Sequence, residues 1–432
     1  MRLPLLLLAA IAAGAMACGQ GDPAEPRDEG SPAAPSAPAP SEAAAPDTAP
    51  EDLPRGLLVS ISRFDKGDDG KPRPASELVM LRRIGGSWQA EIHQDPDAPV
   101  FHKAMVYELQ GGELAILTLA GSAPKGSAAL KLWRSGEGGL TDETLWESNF
   151  GGRFSRMRDA EVGDVLGDGR AVIAVGTHDQ GVMALVVPEA DGSWEVRELD
   201  RQPNKFVHEV ELGDLDGDGV LEVYATPSDP NKLDGTEQHG EVVRYIPAEG
   251  KGRETVGDLG NRHAKEILVE DVDGDGRDEL YVSIEAAEGG SLEIRRYDAG
   301  DPPSGGVTVA ELADPMCRFL SAGDVDGDGH KELVAAAKDT GLWLLSPGDD
   351  PRKPWDVTLI DGDSHGFEHA ALVTDLDGDG VSELYVASDN DRELRRYVWQ
   401  DGKPKRETIF SRPGTTPILT WNLMPVPVEL IP

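Results

Sequence analysis

The feature that most constrains the fold is an acidic nine-residue pattern, Asp-x-Asp-Gly-Asp-Gly-x-x-Glu, that occurs four times. The copies begin at Asp214, Asp271, Asp324 and Asp375, at intervals of 51 to 57 residues. A shorter fifth copy lies upstream and keeps Asp164 and Asp168 of the pattern. Repetition at a nearly fixed period indicates a stack or ring of similar units rather than one irregular domain.

Short runs of β-forming residues surround each acidic loop. Residues 208–213 precede the first full copy, and residues 279–284 follow the second. Third and fourth runs follow after turns, as in residues 291–297 and 355–360. Four strands per repeat leave no room for long helices. The sequence therefore predicts an all-β fold, a β-propeller of four-stranded blades.

The two ends of the repeat region predict how the ring closes. Residues 56–62, 77–83 and 88–92 have the pattern of second, third and fourth strands, and residues 416–422 have that of a first strand. Pairing them makes one composite blade and removes exposed sheet edges. Residues 102–148 form a further blade whose loop is shortened to residues 110–112. The count is seven blades, with six as the alternative if one N-terminal repeat is misread.

The acidic pattern also predicts metal binding. Aspartates at positions 1, 3 and 5, a backbone carbonyl at position 7 and a carboxylate at position 9 place hard oxygen donors around one point, which favours Ca²⁺. An EF-hand would need an acid at position 12, where these loops have Ala or Val, and helices on both sides. A solvated Asp-Gly turn without metal is the alternative, and it is the favoured interpretation of the fifth copy. The predicted ligands are Asp214, Asp216, Asp218, Val220, Glu222; Asp271, Asp273, Asp275, Arg277, Glu279; Asp324, Asp326, Asp328, His330, Glu332; and Asp375, Asp377, Asp379, Val381, Glu383.

These repeats resemble the FG-GAP/VCBS family, which includes the propellers of integrin α-subunits. The resemblance extends over roughly residues 100–410 and implies Ca²⁺ in the loop between the first and second strands, on the lower rim. It also implies that ligands meet the upper face. Two differences from the family pattern are Glu at position 9 in place of Asp and the absence of the Phe-Gly and Gly-Ala-Pro landmarks.

A basic residue stands six positions before the first aspartate of each loop. Because a strand rises about 3.3 Å per residue, these side chains should lie about 20 Å from the metals, at the other mouth of the channel. A ring of cations there could bind a carboxylate, a phosphate or an acidic glycan. Structural pairing with Asp159, Glu209 and Glu266 is the alternative, and a metal held by the histidines is another. If Glu108 holds the equivalent place in the shortened blade, His102 is the sixth member, and the predicted ring is His102, Arg158, His208, Lys265, Arg318 and His369.

The N-terminus has the pattern of an export signal. A basic start and the apolar residues 3–13 precede Ala-Met-Ala-Cys, which resembles a bacterial lipobox. We expect cleavage before Cys18 and lipidation of its thiol, which would leave Cys317 without a disulfide partner; ordinary signal-peptidase cleavage is the alternative. Residue 19 is Gly rather than the Asp of inner-membrane retention, which favours the outer membrane.

The predicted organisation is a signal peptide at 1–17, a lipidated Cys and a Pro/Ala-rich tether at 18–54, the propeller at 55–424 and a tail at 425–432. The tether has too little apolar surface to fold. A net charge of −38 excludes a protein that binds nucleic acid electrostatically and disfavours adhesion to anionic lipid. We expect a monomer that touches the membrane only through its lipid.

The sequence contains no G-x-S-x-G, H-E-x-x-H or phosphate-binding Gly-Lys loop. The main hypothesis is therefore a non-enzymatic binding or scaffold lipoprotein that presents its upper face to a protein or glycan. The alternative is a polysaccharide lyase or hydrolase, in which Arg158, Arg318 and the histidines neutralise a uronate carboxylate.

Overall fold

The computed structural model describes residues 51–67, 70–121, 126–136, 139–151, 155–230 and 236–432. Cys18, the predicted signal peptide and nearly all of the predicted tether lie outside the described residues. None of the described helices is long and apolar enough to cross a membrane. Two short 3₁₀ helices occur in the described chain, at Pro247–Glu249 and Val428–Leu430.

In the described residues, twenty-eight strands form seven antiparallel four-stranded sheets, so the chain is a seven-bladed β-propeller. Blade 1 joins the last strand, β28 (Ile418–Pro427), to the first three, β1 (Arg55–Lys66), β2 (Pro72–Ile84) and β3 (Ser87–His93). Blade 2 contains β4 (Val100–Glu108), β5 (Leu114–Gly121), β6 (Ala128–Gly136) and β7 (Gly139–Ser148). Blade 3 contains β8 (Met157–Gly163), β9 (Val172–Thr177), β10 (Val182–Pro188) and β11 (Trp194–Arg201).

The other four blades contain the full acidic loops. Blade 4 is β12 (Phe206–Gly213), β13 (Glu222–Ser228), β14 (Glu241–Ile246) and β15 (Lys251–Asp258). Blade 5 is β16 (Ala264–Glu270), β17 (Glu279–Ile284), β18 (Leu292–Tyr297) and β19 (Val307–Leu312). Blade 6 is β20 (Cys317–Gly323), β21 (Glu332–Ala337), β22 (Gly341–Ser346) and β23 (Asp356–Asp361). Blade 7 is β24 (Ala371–Thr374), β25 (Glu383–Ser388), β26 (Glu393–Gln400) and β27 (Lys403–Ser411).

The closure of the ring in blade 1 is confirmed. β28 pairs antiparallel with β1, with Val59 opposite Leu423. This strand extends to Pro427, so the predicted propeller boundary at residue 424 falls inside it. Leu430 and Ile431 follow the strand and are buried in the core between blades 1 and 2. The chain termini therefore hold each other in one sheet, and the alternative of six blades is wrong.

The apolar core is divided among the seven junctions between blades. Each junction contains one cluster of buried side chains, such as the cluster of Tyr281 and Leu333 between blades 5 and 6. The first strands of neighbouring blades contact each other around the ring, whereas the fourth strands are largely exposed. The first strands therefore form the innermost layer. Their side chains that point away from the apolar clusters meet near the propeller axis.

Most first strands are interrupted by a β-bulge near their start. In blades 2, 3 and 5 the register of the ladder skips one residue, at His102, Arg158 and Lys265. In blades 4 and 6 it skips two, starting at His208 and Arg318. β28 skips Trp421. An extra residue in a bulge leaves the ladder and its side chain is re-aimed, so these bulges determine which side chains approach the axis.

Candidate metal centres and the axial charge network

The four full acidic loops connect the first and second strands of blades 4 to 7. They therefore lie at one end of the propeller, which we call the loop end. The β-bulges lie at the start of the same first strands, and we call that end the axial end. The position of the loops between first and second strands is the one that the resemblance implied.

The loops wrap tightly because the first aspartate accepts backbone N–H groups from both glycines. In blade 5, Asp271 accepts from Gly274 N at 2.8 Å and from Gly276 N at 3.0 Å. These glycines have φ of 75° and 88°, in the left-handed region that side chains disfavour. Asp324 and Asp375 accept the two glycine N–H groups of their own loops in the same way. The glycines of the motif are thus required by the backbone, and the wrap turns the carboxylates toward one another.

Carboxylates converge in all four loops. One oxygen from each member of a group lies within 4.8 Å of the others. Like charges at such distances repel by roughly 1–4 kcal/mol per pair, depending on how well water screens them. The donors are all carboxylate oxygens, which suits a hard cation and not Zn²⁺. The groups are Asp214, Asp216, Asp218; Asp271, Asp273, Asp275, Glu279; Asp324, Asp326, Glu332; and Asp375, Asp377, Asp379.

The loops of blades 4, 6 and 7 gather fewer ligands than the sequence predicted. Glu222 and Glu383 lie outside the converging groups of blades 4 and 7, and Asp328 lies outside that of blade 6. Asp328 Oδ1 accepts the N–H of His330 at 2.8 Å, as the position-5 aspartates of the other loops accept the matching N–H. In blades 4 and 7 the glutamate is held by other partners, as described next.

The glutamate at position 9 is buried in every loop and, in three blades, is paired with an arginine and a tyrosine. The arginine comes from the third strand, and the shortest contacts are 2.7 Å in blades 4 and 7 and 3.2 Å in blade 5. The tyrosine stands two residues after the glutamate and donates its hydroxyl to it. Sequence reasoning missed this trio, although Glu-x-Tyr recurs after each of these loops. The trios are Glu222, Tyr224, Arg244; Glu279, Tyr281, Arg296; and Glu383, Tyr385, Arg396.

Blade 6 lacks this support. Val334 and Leu344 occupy the cross-strand positions of the tyrosine and arginine. Glu332 accepts one N–H, from Val325 at 3.3 Å, and burial raises its pKa to about 7. No cation of the described chain pairs with this carboxylate, so a bound ion would be its main counter-charge.

We expect the blade 6 loop to loosen most when divalent cations are removed. In hydrogen–deuterium exchange with a chelator, amides of residues 324–332 should gain more deuterium than those of the matched loop at 271–279. The arginine of blade 5 still neutralises its loop without metal, whereas blade 6 has no such residue. Equal exchange in the two loops would contradict the proposed difference.

The fifth copy is held by protein groups. Asp164 accepts the N–H groups of Asp168 and Gly169, so the turn keeps its shape. Arg170 pairs with Asp168 at 2.6 Å, and buried Val172 occupies position 9. This loop is not among the converging carboxylate groups of the described residues.

At the axial end, the bulge residues meet acids that the sequence did not single out. Arg318 Nη1 lies 2.7 Å from Glu368 Oε1, and Arg158 Nη2 lies 3.5 Å from Glu368 Oε2. Arg318 Nε lies 3.4 Å from Glu285 Oε1. Arg158 belongs to blade 3 and Glu368 to the chain entering blade 7, so this contact crosses the axis. We call Arg158, Lys265, Glu285, Arg318 and Glu368 the axial network.

Trp421 completes the ring and was also missed. It is the bulge residue of β28, its ring lies 5.0 Å from that of His102, and Arg158 stacks over it at 5.4 Å. No acidic loop follows β28, so counting back from a loop could not find it. Aligning β28 with the other first strands could have done so.

The six predicted ring residues do not act alike. His369 precedes β24, has φ of 57°, and both ring nitrogens are occupied, by Ala337 O at 2.7 Å and Ser364 Oγ at 2.9 Å. His102 Nδ1 contacts Met157 O at 2.9 Å. Burial lowers the pKa of His369 to about 4 and that of His102 well below its ordinary range. Both are structural histidines, and the described residues show no metal group containing the histidines.

One to three residues along the strands from the bulge residues, five carboxyl groups surround a single lysine. Lys103 Nζ lies 2.9 Å from Asp159 Oδ1 and also contacts Glu161. Asp159 Oδ2 accepts Val210 N, and Glu266 accepts Leu320 N, each from the next blade. Asp159 and Glu266 thus bind the adjacent blade rather than the predicted ring. Arg158 and Arg318 do form structural ion pairs, but with other acids. We call Lys103, Asp159, Glu161, Glu209, Glu211 and Glu266 the acidic belt.

The belt makes stability depend on pH. Burial, followed by the neighbouring carboxylates, raises the pKa of Glu209 and Glu211 well above their ordinary range. A raised folded pKa means that the unfolded chain ionises first, so these groups cost stability as pH rises above the ordinary glutamate pKa. We expect the double variant E209Q/E211Q to be more stable than the wild type at pH 8, on the order of 1 kcal/mol or more. The difference should vanish near pH 4, as measured by urea unfolding at both pH values; a variant that is less stable at pH 8 would contradict the sign.

Comparison with known proteins agrees with this architecture. Residues 324–386, which contain the loops of blades 6 and 7, match the FG-GAP-like repeat family. The matched segment lies within blades 6 and 7 of the seven-bladed β-propeller. No curated protein matches the chain.

Solved structures similar to this propeller share its fold at very low identity. A candidate 6-phosphogluconolactonase from Bacteroides fragilis is 14% identical with a TM-score of 0.50, covering 88% of this chain and 100% of its own. One from Bacteroides uniformis is 11% identical with a TM-score of 0.51, covering 86% and 99%. A protein from Lactobacillus plantarum is 10% identical with a TM-score of 0.52, covering 86% and 99%. At such identities the likeness concerns the fold alone.

Proposed function

We propose that this protein is a Ca²⁺-stabilised β-propeller lipoprotein of the bacterial envelope that acts as a non-enzymatic binding or scaffold module. The observation that carries the proposal is the convergence of carboxylates in four loops at one end of the ring. Metals there would stabilise the blades from one side and leave the axial end for a ligand.

We propose calcium rather than magnesium because of the oxygen donors that each loop offers and the exposed position of the loops. Each loop offers three or four carboxylates, with the carbonyls of Val220, Arg277, His330 and Val381 as further expected donors. Ca²⁺ accepts six to eight oxygens in a flexible arrangement, whereas Mg²⁺ demands a compact octahedron and keeps its waters. The loops are largely exposed, so ions can exchange with solvent, and the ion's role here is to bind and neutralise the carboxylates.

The envelope location rests on the N-terminal sequence. We propose that lipid on the Cys18 thiol anchors the chain and that the tether up to residue 54 spaces the propeller from the outer membrane. Cells grown with an alkyne fatty acid should label the wild type, with the protein in the membrane fraction. The C18S variant should lose the label. Equal labelling of both variants would refute the anchor, and an unlabelled wild type cleaved to residue 18 would favour ordinary signal peptidase.

A binding module and a polysaccharide lyase give different results with acidic glycans. Soluble C18S protein should bind to members of an immobilised panel of uronate glycans or envelope proteins without changing them. A lyase would release unsaturated products that absorb in the ultraviolet. Product formation that is abolished by H208A would replace the binding proposal with the lyase.

A further inference from the structure

The axial network has more cationic groups than acceptors. Arg158, Lys265 and Arg318 supply three potential positive charges, whereas Glu285 and Glu368 supply two negative charges. The nearest acids of the belt, Asp159 and Glu266, are already used on the backbone N–H groups of the next blades. Among these five residues there is thus one more cationic group than there are carboxylates, and every named cation is at most 12% exposed.

Several buried donor atoms in this region have no acceptor. Arg318 Nη2 is buried without a hydrogen bond, and Arg318 Nε faces Glu285 at 3.4 Å without hydrogen-bond geometry. His208 Nε2 is buried and also unbonded. Within the described chain, the Lys265 ammonium makes no hydrogen bond or ion pair, although the residue is only 5% exposed. Buried polar groups normally have partners, and each unpaired one costs about 1–3 kcal/mol.

These donors belong to one neighbourhood. Arg318, Arg158 and His178 each act electrostatically on His208 or Lys265. Burial, and next to it Arg318, lowers the pKa of Lys265 to about 7. Three neighbouring blades, 4, 5 and 6, thus place His208, Lys265 and Arg318 on successive bulges of adjacent first strands. An anion between them would satisfy the open donors and balance the extra charge.

We propose that the axial end binds one small oxyanion, a carboxylate or tetrahedral oxyanion group, between Lys265, Arg318 and His208. This proposal deepens the binding role proposed above and rests on it. Arg158, the most exposed member at 12%, contacts Glu368 across the axis and so limits the ligand to a small group or to the charged end of a larger one. His369 takes no part, because both of its ring nitrogens are occupied, and His102 is held by its Nδ1 contact with Met157 O.

The test is calorimetric titration of the calcium-loaded C18S protein with sulfate and, separately, with glucuronate. We expect saturable binding of one anion per chain to at least one probe. Binding of sulfate alone would indicate that the ligand is a free tetrahedral oxyanion. Binding of glucuronate alone would indicate that the ligand is a sugar carboxylate. The K265M variant should bind about tenfold more weakly, since it loses one charged hydrogen bond. It should fold as well as the wild type, because the lysine it replaces has no partner.

A matched control removes a lysine that is already paired. K205M loses the exposed ion pair of Lys205 with Asp229 and should bind the probes as the wild type does. Equal weakening in K205M and K265M would show a nonspecific charge effect and overturn the site. Absence of saturable heat with both probes would also overturn it. A calcium-dependent melting shift in the same samples would show that only this inference, and not the calcium proposal, has failed.

Discussion

Removal of calcium should lower the melting temperature of the propeller by about 10 °C. Each bound ion stabilises the folded state by RT ln(1 + [L]/Kd), and loops of this kind on exported proteins bind at about 10⁻⁴–10⁻³ M. At 10 mM Ca²⁺ this amounts to about 1.4–2.7 kcal/mol per site, or roughly 6–11 kcal/mol over the four converging groups. For a chain of this length, a stabilisation of this size corresponds to a shift in melting temperature of about 10 °C. Differential scanning calorimetry with chelator, with Ca²⁺ and with Mg²⁺ measures it, and Mg²⁺ should restore far less.

A loop variant separates specific binding from a general effect of salt. The quadruple variant D216N/D273N/D326N/D377N removes the carboxylate at position 3. In blades 5, 6 and 7 this aspartate accepts one backbone N–H, which asparagine can also accept. It should melt at the same temperature with and without Ca²⁺. The control D168N changes the fifth copy, where Arg170 already neutralises the carboxylate, and should retain the full calcium response. If calcium raises the melting temperature of the quadruple variant as much as that of the wild type, calcium acts elsewhere.

The second large effect is expected at Glu368, the acid that joins Arg158 and Arg318 across the axis. It is 2% exposed, and E368Q leaves both guanidinium groups without their shared carboxylate. Breaking a buried ion pair on one side costs about 3–5 kcal/mol. This corresponds to a decrease in melting temperature on the order of 5 °C.

The matched control for this prediction is E311Q on the exposed face of β19. Glu311 makes no hydrogen bond or ion pair in the described chain, so the change should leave the melting temperature within about 1 °C. If E368Q has the same melting temperature as the wild type, the axial network does not stabilise the ring. The alternative then is that water or a bound ion already screens these arginines.

The fold could be predicted from the sequence because the same pattern, an acidic loop between short β-forming runs, recurs several times. Each acidic loop marks one turn between first and second strands, and the β-forming runs between loops have no room for other elements. Even the closure was predictable, since residues 56–62 need a first strand and residues 416–422 need partners. The loop glycines were predictable for the same reason, because their left-handed φ values are fixed by the turn.

The axial end could not be predicted as well, because its geometry depends on β-bulges and on contacts between distant blades. Counting six residues back from a loop assumes a regular strand. That count found Arg158 and Arg318, but it could not show that His369 lies before its strand or that Trp421 joins the ring. Glutamate does not recur at the positions of Glu368 and Glu285 in the other full repeats, so only their proximity in space reveals them as partners of the arginines.

The number of calcium ions bound per chain tests the central claim most directly. Equilibrium dialysis followed by atomic emission spectroscopy at millimolar Ca²⁺ should give about four ions for the wild type and about three for D326N alone. The quadruple variant should bind none at these loops. Less than one ion per wild-type chain, or four ions still bound by the quadruple variant, would contradict the account.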